Sequence, residues 1–178
     1  MRKLVKTTSV LAMVIALGAS PTMLTAHDGA EGVVKERMHA MLNLGSAMKG
    51  IKANLKASNA AQNEALLLAA TIIMESSGDH LNKLFPEGSD KAPSRAHPAI
   101  WEKKDQFDAI SNSLQDASLA LALKSTQALG KDDSGLKEGL NGERGEAVSS
   151  LANQPVPKIF KAIASTCGSC HQNFRMPK

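Results

Sequence analysis

The chain has 178 residues with 21 basic and 17 acidic side chains, a formal net charge of +4. Removing a leader that holds Arg2, Lys3 and Lys6 and no acid leaves a nearly neutral polypeptide, so the charge gives no support for binding nucleic acid or an anionic membrane. Tyrosine is absent, and four phenylalanines and one tryptophan stand among abundant alanine, leucine and methionine, a composition that favours helices over sheets.

In chain order, Met1 to Lys6 form a basic start, Val10 to Ala19 an apolar run, and small residues with Pro21 lead to Ala26. These are the parts of a secretory signal peptide. We expect a leader over residues 1–26, export to the periplasm, and a mature domain over residues 27–178. Leu24 is large for its place before the cut, which leaves a site nearer Ser20 open. The apolar run is about half the roughly 20 residues a membrane-spanning helix needs, so no membrane insertion is expected once the leader is gone.

Val34, Arg37, Met41, Leu44, Met48, Ile51 and Leu55 advance by threes and fours, the inward stripe of a bundle helix. A second helix is predicted from Asn59, with Gln62 completing a capping box, to a stop at Gly78. Residues 78–97 read as a long connection. Pro98 suits the first turn of a third helix, whose residues Ile100, Phe107, Leu114, Leu121 and Ala128 continue almost to Gly130. Residues 131–145 alternate glycine with charge and read as a loop with one or two short turns, followed by a broken helix from about Glu146. Pro155 and Pro157 interrupt any helix, but Pro157 can open the next. From there Ile159, Phe160, Ile163, Cys167, Cys170, His171 and Phe174 share one broad face. Four long amphipathic segments without strand-like alternation predict an all-α fold, an antiparallel four-helix bundle. No repeat or low-complexity tract occurs.

The chemistry sits at Cys167-Gly168-Ser169-Cys170-His171. Two cysteines three apart lie side by side on a helix, so both sulfurs can reach the two vinyl groups along one edge of a porphyrin. His171 can then bind the iron from the proximal side. One covalently held haem c, near the C-terminal end of the last helix, is the expected cofactor. A disulfide or a redox dithiol uses the same cysteine spacing, but no thioredoxin-like order of strands and helices surrounds the motif. A structural zinc would want about four ligands, and no second cysteine pair exists.

With that motif in place, the mature sequence resembles the class II c-type cytochromes, the family of cytochrome c′ and its low-spin, methionine-ligated relatives. The resemblance rests on the haem motif with Phe174 and Arg175 after it, on Arg37, Met41, Gly45 and Met48 in the first helix, and on the stretches Leu84 to Asp90 and Ala96 to Trp101. The glycine-rich segment 131–153 departs from the family, which leads more directly into its last helix.

The resemblance implies that Met41 faces the distal side of the iron. A methionine there implies a six-coordinate electron carrier, and a non-ligand implies a five-coordinate iron that binds small gases. Periodicity alone also allows Met38, Met41 and Met48 to be core filler. His39 lies about 200° round the helix from Met41 and should face solvent. His80 and His97 read as surface or capping residues, His27 as terminal, and Trp101 and Phe107 as core. Arg37 is a charge on an apolar stripe, for which a haem propionate offers a bidentate partner and solvent an alternative. Arg175 could cover the proximal imidazole, as in the family, or complement the helix dipole.

The first expectation is therefore a periplasmic electron carrier, not an enzyme, with His171 and Met41 on the iron and redox proteins as partners. The alternative is a five-coordinate cytochrome c′ that binds nitric oxide or carbon monoxide. Family members often form homodimers through their first two helices.

Overall fold

The computed structural model describes residues 29–177. The expected leader and His27 lie outside these residues. The elements are α1 (Gly32–Ala53), α2 (Ala60–Glu75), the short α3 (Asp79–Asn82) and α4 (Ala99–Glu102), α5 (Lys104–Ala128), the short α6 (Ser134–Lys137), α7 (Gly142–Ala152) and α8 (Val156–Phe174). Four long helices, α1, α2, α5 and α8, make the all-α bundle that the periodicity predicts. Among the described residues the strand-like pairing is confined to one isolated bridge, between Ala96 and Arg175.

The N-terminal stripe behaves as expected, since Leu44, Ala47 and Ile51 are buried while Met41 and Met48 pack at the edges. Asn59 caps α2, its side chain accepting from the Gln62 amide at 2.9 Å. Gln62 reaches back one residue further than a capping box requires, to the Ser58 amide at 2.8 Å. Gly78 follows α2 with φ of 61°, and a Cβ there would lie 2.7 Å from the Gln115 side chain. The left-handed backbone at this corner favours glycine, and any side chain there would also have to displace the end of Gln115.

The expected third helix divides at Lys103 into α4 and α5. Ala128, at the end of its heptad row, is exposed, whereas every residue from Ala117 to Leu123 is buried. The reason is that α5 runs through the middle, touched by α2, α7 and α8, so near its centre no side faces water. Small residues allow this closeness: Ser111, Ser118 and Ser125 are buried, and their hydroxyls donate to the carbonyls of Gly78, Leu114 and Leu121 at 3.1, 2.7 and 2.9 Å. Each buried hydroxyl is thus satisfied.

Segment 131–153 is more ordered than its glycines predict. α7 begins at Gly142, before Glu146, and buries Val148 and Ala152 against the bundle. Arg144 pairs with Asp116 of α5 at 2.7 Å. A Cβ on Gly145 would come 3.1 Å from the Leu140 carbonyl carbon, so this glycine permits a close backbone approach.

Two cores result. A larger aliphatic one joins α1, α2, α5, α7 and α8, and a smaller one gathers Leu81, Phe85, Ala96, Ala99, Ile100, Phe107 and Phe174. α1 and α8 meet each other sparsely.

Candidate functional site

Pro155 and Pro157 set the start of α8, as the sequence implies, with Pro155 just before its first turn. Ile159 and Ile163 are fully buried and anchor the helix in the aliphatic core. One turn on, the half-buried Cys167 packs on that same core, Cys170 packs on the smaller aromatic one, and Phe174 is buried within it. The motif therefore lies where α8 passes from one core to the other. His171 is exposed.

Both cysteines are free thiols. Burial raises the Cys167 thiol above its ordinary value, and burial with the neighbouring Cys167 pushes Cys170 up to about 11. Their place near the C-terminal, negative end of a helix also opposes thiolate formation. A redox dithiol depends on its thiolate, so this setting weighs against that alternative. Although His171 is exposed, neighbouring atoms partly desolvate its ring, and this, then the charge of Arg175, lowers its pKa and favours the neutral imidazole. The neutral ring is the form that can bind a metal. Among the described residues no three or more His, Cys, Asp or Glu side chains converge as a metal cluster.

On α1, Met41 is partly buried and packs against both cores, whereas Met48 packs against the aliphatic one. His39 is exposed, as is His80 in α3. His97 lies just before the start of α4, its Nδ1 accepting from the Ala99 amide at 3.0 Å. Phe107 is fully buried, and Trp101 is partly buried with its indole N–H donating to the Phe85 carbonyl at 3.0 Å. Two open surface clefts, of ≈ 510 and ≈ 630 Å³, lie beside Trp101 and beside Arg144. Neither includes a cysteine, His171 or Met41.

Arg37, for which the sequence offers a propionate or solvent, has protein acceptors in this structure. It is buried, and its donors go to the connection after α3. Nε donates to the Leu84 carbonyl at 2.9 Å, Nη1 to the Ser89 carbonyl at 3.1 Å and Ser94 Oγ at 2.8 Å, and Nη2 to the Leu84 carbonyl at 2.7 Å and Ser89 Oγ at 2.5 Å. A guanidinium has five N–H groups, so these bonds use them all. The Arg37 guanidinium carbon also stands 4.1 Å over the Phe85 ring. Burial lowers the Arg37 pKa, the nearby charge of Asp90 opposes that shift, and loop oxygens with an aromatic face compensate the guanidinium.

The same connection reaches the end of α8. The His97 amide donates to the Phe174 carbonyl and the Met176 amide to the Arg95 carbonyl, both at 2.9 Å, and the Arg95 guanidinium donates to the Met176 carbonyl. Arg175 forms the C-cap of α8 and is exposed, close enough for its charge to act on His171. Ser94 and Arg95 carry no periodic signal in the sequence, and Ser89 enters it only within the stretch Leu84 to Asp90, with no role attached. Their one clue was the buried charge at Arg37, which had to find acceptors somewhere.

These residues fit a haem c by their donor chemistry. Two protonated thiols adjoin on one helical face, an imidazole held neutral follows, and a thioether on α1 packs on the same two cores as the cysteines.

Comparison with known proteins agrees with this fit. The family model described as cytochrome C′ matches residues 32–146. A cytochrome c′ from Pararhodospirillum photometricum is 30% identical over 148 residues, covering 82% of this chain and 97% of that protein. A cytochrome c-556 from Agrobacterium fabrum is 29% identical over 150 residues, 84% of each chain. The solved cytochrome c′ of Thermochromatium tepidum superposes with a TM-score of 0.59 at 21% identity, over 86% of this chain and 98% of that one. The family match covers more than half of the sequence, and the match to the Pararhodospirillum protein takes in 97% of that relative and 82% of this chain, so this chain belongs to the cytochrome c′ family and is a haem-binding, c-type cytochrome.

Proposed function

We propose that the protein is a periplasmic cytochrome carrying one haem c on Cys167 and Cys170, with His171 as proximal ligand and Met41 lining the distal side. When bound, haem c supplies an iron that can change oxidation state and take a ligand on an open face. The observation that carries the proposal is the end of α8: two half-buried thiols on one face, followed directly by a neutral, accessible imidazole. α8 fixes these three groups together because its Ile159 and Ile163 are buried before the motif and its Phe174 after it.

Membership of the cytochrome c′ family favours the five-coordinate reading, in which Met41 acts as apolar wall and a small gas such as nitric oxide or carbon monoxide binds on its side. Packing of Met41 against both cores is consistent with a wall. The second reading is the electron carrier, with Met41 as sixth ligand and redox proteins as partners. It is favoured by the methionine itself, a soft donor at a place where leucine would pack nearly as well. In neither reading is the protein an enzyme. Leu42 of α1 and Leu68 of α2 are 54% and 64% exposed, which suits a homodimer through these helices.

Absorption spectra of the oxidised and reduced protein, followed by carbon monoxide, test the proposal. Prompt and complete binding by a high-spin protein supports the gas-binding reading. A low-spin spectrum with little binding transfers support to the electron carrier. A colourless protein from cells competent in cytochrome maturation rules out both.

A further inference from the structure

We infer that the connection over residues 84–97 is a brace that sets the spacing between the distal and proximal sides of the haem site, with Arg37 and Ser94 as its positioning residues. The inference rests on the haem reading above and concerns a different question, namely what holds α1 and α8 in register where they scarcely touch.

Arg37 lies one turn before Met41 on α1, and its five hydrogen bonds bind that turn to Leu84, Ser89 and Ser94. Ser94 Oγ, which takes one of those bonds, also accepts from the Ala96 amide at 3.1 Å. Ala96 is the residue bridged to Arg175, and the neighbouring amides of His97 and Met176 complete the attachment to the end of α8. A continuous set of hydrogen bonds thus runs from the turn of Met41 to the turn after His171. A second connection runs through rings. Phe85, beneath the Arg37 guanidinium, meets Phe107 edge to face at 4.9 Å, and Phe107 meets Phe174 at 5.4 Å.

A buried guanidinium that loses its acceptors is costly, and packed aromatic rings resist deformation. The brace is therefore stiff at both attachments. The separation of Met41 from His171 follows from the length of the connection rather than from direct packing of α1 on α8. On this view Arg37 does not touch the iron's ligands. It acts through the brace, and it decides how near the Met41 side chain stands to the distal face.

The test uses the haem-loaded protein and the variants Arg37→Gln and Ser94→Ala, with Ile73→Val in the aliphatic core as a control for general loss of stability. Three quantities are read on folded protein: amide exchange at His97 and Met176, the spin state of the oxidised haem, and the rate of carbon monoxide binding to the reduced haem. Arg37→Gln is expected to speed exchange at both amides by about tenfold or more, as local opening becomes easier, and to shift spin state and gas-binding rate together. Ser94→Ala should move the same quantities in the same direction by less, and Ile73→Val should leave all three in place. If Arg37→Gln does not fold, Ser94→Ala decides. A coloured wild-type protein whose brace variants leave spin state and binding rate unchanged overturns this inference alone, whatever the exchange rates do. A colourless wild type overturns the haem reading and this inference with it.

Discussion

The two cores are built on different plans. The larger is aliphatic, filled by Leu44, Ile51, Leu66, Ile73, Leu121, Ile159 and Ile163 from regular helices, with serines and alanines at the closest approaches. The smaller is aromatic and draws Leu81, Phe85 and Ala96 from short turns and the connection, while touching Met41 and Cys170. The aliphatic core holds the bundle together and also meets Met41 and Cys167, whereas the aromatic core joins Met41 and Cys170 to the connection. A bundle needs repetition, which identical helical turns supply. A site needs particular groups at particular distances; here regular helices carry the groups, Met41 on α1 and Cys167, Cys170 and His171 on α8, and the irregular connection packs beside them.

The largest effect expected on this division is at the motif itself. With Cys167→Ala and Cys170→Ala combined, covalent haem should disappear, and acid organic solvent should extract whatever haem remains. Retained covalent haem would place the attachment elsewhere. In the haem-free wild-type protein the raised Cys167 and Cys170 values mean less thiolate at any neutral pH. Alkylation near pH 8 should therefore run slower than that of a free cysteine and rise as pH approaches 11, the value near which Cys170 ionises. Rates equal to free cysteine would contradict the burial seen here.

The cores themselves should respond differently. Leu121→Ala should cost about 2–5 kcal/mol by leaving a cavity in the aliphatic core, with the haem spectrum unmoved in the fraction that folds. Phe107→Ala should cost about 3–5 kcal/mol and also disturb the spectrum, because Phe107 stands between Phe85 and Phe174. Denaturant melts and absorption spectra taken together make the comparison. If both substitutions move the spectrum equally, the division between the cores fails.

The same division decides what the sequence could disclose. Period 3.6 exposed the stripe of α1, the Asn59 cap marked the start of α2, and the prolines located the start of α8, since each is a local rule. α7 was harder: its glycines argue for a loop, and Val148 becomes a core residue only because α5 lies beneath it. Likewise the spacing of Cys167, Cys170 and His171 is a local requirement of haem attachment and shows in five residues. The partners of Arg37 lie 47 to 57 positions away, in a loop whose path no periodicity fixes. A buried charge signals that acceptors exist without saying where.

Met41→Leu separates the two readings of the distal side at small structural cost. Because the volume is conserved, repacking should cost less than about 1.5 kcal/mol. If sulfur is bound to the iron, the oxidised haem should pass from low to high spin, lose its far-red sulfur-to-iron band and gain a site for carbon monoxide. If Met41 is wall, the spin state should stay as it is and the gas-binding rate should change modestly. Met38→Leu and Met48→Leu remove the same atom from neighbouring turns and should leave the spectrum alone in both cases.

The smallest effect is expected at the Arg144–Asp116 pair, where α7 meets α5. Both side chains are partly exposed, at 49% and 29%, so water and salt screen the attraction. Arg144 makes two contacts to one carboxylate oxygen, from Nε at 2.8 Å and from a terminal nitrogen at 2.7 Å. That arrangement is better than a single mobile contact, yet pairs this exposed are worth about 0.2–1 kcal/mol. Arg144→Ala should therefore lower the denaturation midpoint slightly, by an amount that shrinks as salt is added, while α7 stays docked through Val148 and Ala152. The haem spectrum should not change, because α7 docks through Val148 and Ala152 on the aliphatic core and packs chiefly on α5. A loss of several kcal/mol would show instead that segment 131–153 is held by this one pair. A spectral change would show that the insert acts on the site, and the separation between the two cores would then have to be redrawn to include it.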